Sequence, residues 1–147
     1  MSSLTIFAGP HALQRLRSEG LNADQFKVML GASGGPKWFV LFGLDRYIFG
    51  EFFANRQREL ITLGSSAGAW RMCCLATADP VAAIERLAKC YSQEQYSEQP
   101  TTDEITDQAR KMLAQTLGPD GVKEILENEI FRTHIIADRA RGIGSSP

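Results

Sequence analysis

The stretch ELITLGSSAGAWR, Glu59 to Arg71, joins a short apolar run to small residues and then to a segment free of helix breakers. A compact apolar run bounded by glycine reads as a buried strand. AWRMCCLA, Ala69 to Ala76, reads as a helix packed on several sides. Between them, Gly64-Ser65-Ser66-Ala67-Gly68 fits G-x-S-x-G. In that pattern the serine sits on a sharp strand-to-helix turn, so its hydroxyl protrudes, and small neighbours keep clear of it. Ser66 is therefore a candidate nucleophile, with Gly64 and Gly68 supplying the space of a nucleophile elbow. The plainer reading is a small-residue strand-to-helix turn that happens to contain serines. Ser65 and Ser33 are weaker candidates, because neither stands in the pattern.

The same architecture occurs once before. FKVML, Phe26 to Leu30, reads as a buried strand, GASGGPK follows, and WFVLFGLDRYIF, Trp38 to Phe49, has the length and apolar density of a buried helix. Two strand–loop–helix units imply parallel strands joined by right-handed crossovers. Both loops then lie at the C-terminal ends of their strands, on the sheet edge where α/β proteins build their sites.

Three mechanisms compete for the first loop. A P-loop fails because Pro36 replaces a glycine and has no N–H for a phosphate, and Trp38 replaces the magnesium-binding hydroxyl. A dinucleotide fingerprint fails because Ser33 stands where glycine is needed. An oxyanion hole fits better. Gly34 and Gly35 let backbone N–H groups project at a helix N-terminus, where they lack intrahelical partners and carry partial positive charge. Such a donor is worth about 3 kcal/mol to a developing oxyanion. Lys37 adds charge or braces the loop. A tight turn that needs glycine only for its geometry stays open as the alternative.

Elsewhere helices dominate. Pro10 opens a helix over 10–18 that carries Leu13 and Leu16 and ends at Gly20. Asp79 and Pro80 start another, with Ile84, Leu87, Ala88 and Tyr91 at helical spacing. SQEQYSEQP, Ser92 to Pro100, is a polar connection. Thr101 to Glu104 fits a capping box for a helix with Ile105, Ala109, Met112 and Leu113 on one side. Gly118-Pro119-Asp120-Gly121 reads as a turn, and a short helix bearing Val122, Ile125 and Leu126 follows. THIIA, Thr133 to Ala137, is the third strand. The class is α/β with a mainly parallel sheet. A parallel sheet needs cover on both faces. Three strands and the tail ARGIGSSP leave that unfinished, so residues 1–147 are expected to be the N-terminal portion of one domain that continues beyond Pro147.

Composition narrows the function classes. The 147 residues carry 16 Lys plus Arg against 17 Asp plus Glu, a net charge of −1, which gives no electrostatic reason to expect nucleic acid. No basic n-region precedes an apolar core at the N-terminus, and no long apolar span occurs, so a cytoplasmic protein is expected. Cys73, Cys74 and Cys90 lack zinc spacing and read as small buried thiols. No metal site and no cofactor is implied.

From Phe26 to Arg71, through GASGGPK and GSSAG, the sequence resembles the patatin-like phospholipase family. The resemblance implies a three-layer α/β/α sandwich and hydrolysis of acyl esters, often of phospholipids or neutral lipids. Acyl transfer or thioester hydrolysis through the same Ser66, and a non-catalytic α/β module that binds acyl chains or a partner protein, stay open as alternatives, and transient contact with a membrane surface is compatible with a lipid substrate. By that similarity Ser66 matches the nucleophile, Gly34 and Gly35 match the oxyanion glycines, and Lys37 stands near the family's usual arginine. The loop departs from the family's commoner D-G-G-G-x-R-G form. The resemblance also implies a Ser–Asp dyad whose aspartate lies in D-G-[GA] far downstream. Asp120 precedes glycine but sits in a turn, and Asp138 follows the third strand without a glycine. His134, read at the start of that strand, and His11, in the first helix, read as structural. The dyad aspartate is expected beyond Pro147.

Overall fold

The computed structural model describes residues 5–139. Its order is α1 (Pro10–Glu19), β1 (Val28–Gly31), α2 (Phe42–Tyr47), β2 (Leu60–Ser65), α3 (Ala67–Leu75), α4 (Pro80–Ser92), α5 (Thr102–Leu117), α6 (Gly121–Glu127) and β3 (Phe131–Ile136). The architecture is mixed α/β, with six α-helices and a three-stranded sheet among the described residues. The strand order is β1-β2-β3, and both pairings are parallel. This is what two successive strand–loop–helix units dictate. The register pairs Gly31 with Gly64 and Ser65 with Ile136, so the strands end together on one edge.

The strands sit slightly away from their apolar runs. Gly31, Gly64 and Ser65 join the ladder although glycine and serine favour turns, because their backbone groups find partners across the sheet. β3 begins two residues early, at Phe131. The Asn128 side chain sets that start, accepting N–H bonds from Ile130 at 2.9 Å and Phe131 at 2.7 Å. Its amide also donates to Ala76 O at 3.0 Å, tying the end of α3 to the beginning of β3.

The segment expected as one buried helix, Trp38 to Phe49, is instead composite. A 3-10 turn over Gly35–Leu41 leads into α2, and a π-type turn over Ile48–Phe52 follows it. Pro36 supplies no N–H, and Gly43 and Gly50 weaken the α ladder, so the helical register shifts at both ends. Only part of the segment is interior: Trp38, Asp45 and Phe49 are buried, whereas Val40, Leu44 and Tyr47 are exposed. The helix at α6 shows the same limit, with Val122 and Leu126 facing out. The capping box at α5 is half formed. Thr101 Oγ1 accepts the Glu104 N–H at 3.2 Å, while the Glu104 carboxylate accepts from Ser97 N–H and Ser97 Oγ. That choice ties down the polar connection before α5.

One sheet face is covered and the other is not. Met29, Leu60, Thr62 and Phe131 face α3 and the core, which gathers Phe49, Phe53, Met72, Leu75, Ile84 and Leu87. The alternate residues Val28, Leu30, Ile61 and Ile136 are exposed, Leu30 to 71%. Two layers are thus present among the described residues.

A buried ion pair binds the two strand–loop–helix units through their helices. Arg71 on α3 donates from Nε and Nη2 to both carboxylate oxygens of Asp45 on α2, each at 2.6 Å. Asp45 is wholly buried and Arg71 nearly so. Removing one partner strands the other charge in the interior. Arg71→Ala or Asp45→Ala is therefore expected to lower stability by about 3–5 kcal/mol, read from urea unfolding, while replacing both together with apolar residues costs far less.

Candidate active site

The turn after β2 is strained. Ser66 has φ 52° and ψ −129°, and among the described residues no other non-glycine has positive φ. A side chain in such a region costs about 1–3 kcal/mol, and it persists only where the surroundings impose it. Here β2 on one side and α3 on the other impose it. The Ser66 carbonyl accepts the N–H groups of Ala69 at 2.9 Å and Trp70 at 3.2 Å and so begins the helix. Its side chain is left exposed, with no hydrogen-bond partner among the described residues. This is the backbone geometry that makes a serine hydroxyl protrude.

Ser65 is different. It is half-buried, and its Oγ accepts a hydrogen bond from Ser33 Oγ at 2.9 Å. Of the three serines named from the sequence, Ser66 holds the free hydroxyl at the elbow, and the other two hydrogen-bond each other across the two loops.

Gly64 and Gly68 do more than leave room for the serine. A Cβ on Gly68 would lie 2.0 Å from Gly31 O, and one on Gly64 would lie 2.4 Å from Ala69 Cα. The missing side chains let the start of α3 rest on the ends of β1 and β2. Gly35, at φ 49°, adopts a left-handed conformation that suits glycine. The N–H groups of Gly34 and Gly35 have no hydrogen-bond partner among the described residues, nor do those of Ala67 and Gly68 at the start of α3. The glycine pattern points to Gly34 and Gly35 as donors and leaves Ala67 without that role. The elbow pattern holds the signal for Ala67, since the residue after an elbow nucleophile commonly supplies an oxyanion donor.

Lys37 is exposed and forms no ion pair among the described residues. Trp38, next to it, turns inward and stacks on Phe39 with centroids 4.6 Å apart. Tyr91 on α4 meets both rings edge-on, and its hydroxyl lies 3.8 Å from where a Gly35 Cβ would stand. Burial, and then the Glu94 carboxylate, push that hydroxyl above its ordinary range, so it stays protonated near neutral pH. Helical spacing had marked Tyr91 only as part of an apolar face.

The base candidates fall away from Ser66 in different ways. His134 is not at the start of β3. It is the fourth residue of that strand and pairs with Leu63, because β3 begins at Phe131. No hydrogen bond joins it to Ser66. Asp120 precedes α6, whose Glu124 accepts the Ala78 N–H at the far end of α3 from the elbow. Asp138 is exposed beyond β3 on the site edge, without a hydrogen bond to Ser66. His11 lies on α1, none of whose residues is buried. The thiols are no substitute, since burial raises both Cys73 and Cys74 above the ordinary thiol range.

Among the described residues, no group of three or more His, Cys, Asp or Glu could hold a metal ion. No helix there is long and apolar enough to cross a membrane. No protein-family model matches the chain, and no curated protein or solved structure matches it.

Contact at the elbow gives a direct test. Gly68→Ala is expected to lower stability by about 3 kcal/mol or more, because its Cβ meets rigid backbone. Gly43→Ala, where a Cβ has open space, should be neutral or stabilising by up to about 1 kcal/mol. Thermal unfolding of the two variants distinguishes crowding at the elbow from a general sensitivity to added methyl groups.

Proposed function

We propose that the chain carries the nucleophile and oxyanion half of a serine acyl hydrolase of the patatin-like type, acting on lipid esters. The observation that carries this reading is the strained backbone of Ser66 between a parallel strand and a helix N-terminus. The glycine loop linked to it through Ser33 and Ser65 supports the same reading. Ser66 Oγ attacks the ester carbonyl and loses its proton to a carboxylate. The carbonyl oxygen, now negative, is met by the free N–H groups of Gly34 and Gly35, with Ala67 as a further donor. The alcohol leaves with the proton that the carboxylate took. Water then attacks the acyl-serine as it gives a proton to the same carboxylate, and the bond to Ser66 Oγ breaks, so that the acid departs and Oγ regains its proton. No metal or organic cofactor enters these steps.

The carboxylate is proposed to come from outside residues 5–139, as the family resemblance implies. The exposed sheet face is where a second helical layer of the three-layer sandwich would rest. Contact with a membrane surface would be transient and would serve delivery of the ester.

A different class of reading is a non-catalytic α/β module that binds acyl chains or a partner protein. It is favoured by the lack, among the described residues, of a base hydrogen-bonded to Ser66. A fluorophosphonate probe decides between them. In the full-length protein, Ser66 should be labelled, and Ser66→Ala should abolish labelling. Absence of labelling, together with lipid binding unaffected by Ser66→Ala, selects the binding module. Labelling that survives Ser66→Ala moves the nucleophile elsewhere.

A further inference from the structure

We propose that Ser33 and Ser65 are positioning residues that fix the distance between the oxyanion donors and the nucleophile. The inference rests on the acyl-hydrolase reading of Ser66 and deepens it. Ser33 immediately precedes Gly34 and Gly35, and Ser65 immediately precedes Ser66. The 2.9 Å hydrogen bond from Ser33 Oγ to Ser65 Oγ therefore joins the two loops at the residue next to each working group. It is a long-range contact in addition to the sheet pairing and the close approach of Gly31 and Gly68.

A second tie lies on the opposite face. Successive strand residues point to opposite sides. Gly64 is buried on the covered face, where Gly31 and Gly68 meet backbone to backbone, while Ser65 points with Ile61 and Leu63 to the open face. With one tie the first loop could pivot about the Gly31 contact. With a tie on each face, the loop is held against the elbow from both sides. Preorganised donors act because they need not move as charge develops, and a shift of about 1 Å costs up to about 100-fold in rate. Ser33 and Ser65 contribute no proton and form no bond to substrate in this role.

The test is the rate of fluorophosphonate labelling at Ser66 across a range of probe concentrations, in the full-length protein. Ser33→Ala and Ser65→Ala should each lower the maximal labelling rate about tenfold, with the half-saturating probe concentration unchanged. Ser33→Thr, which keeps the hydroxyl, should restore most of the rate. Thermal unfolding of all three variants confirms that the comparison is between folded proteins. Wild-type rates in Ser33→Ala, or a change confined to the half-saturating concentration, overturn the positioning role and leave Ser66 as nucleophile. Failure of wild type to label at Ser66 overturns the acyl-hydrolase reading, and the positioning role falls with it.

Discussion

The structure depends on how closely α3 can approach the end of β1. Gly31 and Gly68 touch backbone to backbone, at a spacing where any Cβ would collide. From this contact the rest of the edge follows. The chain must leave β2 and enter α3 within one residue, so Ser66 takes the conformation that neither strand nor helix allows. The first loop, which continues from Gly31, is brought beside the elbow. The helices after the two loops then converge closely enough for Asp45 and Arg71 to form a dry, two-pronged ion pair. Sheet, elbow and helix pair are thus one mechanical unit.

Much of this was legible in the residues. Two apolar runs followed by small residues and breaker-free segments gave parallel strands, and the register places their loops on one edge. What the pattern could not supply was contact across distance. Hydrophobic density alone made Trp38 to Phe49 look wholly interior, yet interior or exterior is decided by what packs on each side, and Val40 has nothing over it. Nothing in the spacing of Asp45 and Arg71 marks them as partners, and only the fold brings the two side chains together. Strand ends differ from the apolar runs by one or two residues because backbone pairing, rather than side-chain type, sets where a ladder begins.

Within the site, sequence spacing found the groups fixed by local geometry and missed those fixed by tertiary approach. Ser66, Gly34 and Gly35 lie in short motifs whose chemistry is local. The Ser33–Ser65 bond spans 32 residues, and Tyr91 reaches the first loop from α4. His134 shows the converse error. Its distance from the strand end was judged from an assumed boundary, and the true boundary at Phe131 moves it to the middle of β3.

The backbone of Ser66 also sets two demands on the sequence against each other. Glycine would adopt φ 52° with little strain, so a chain selected only to fold would drift toward glycine at position 66. Serine keeps the hydroxyl and leaves the native state less stable by the strain it carries. The residue proposed as the nucleophile is therefore also a standing thermodynamic weakness. The apolar core beneath it must hold enough stability in reserve to tolerate it.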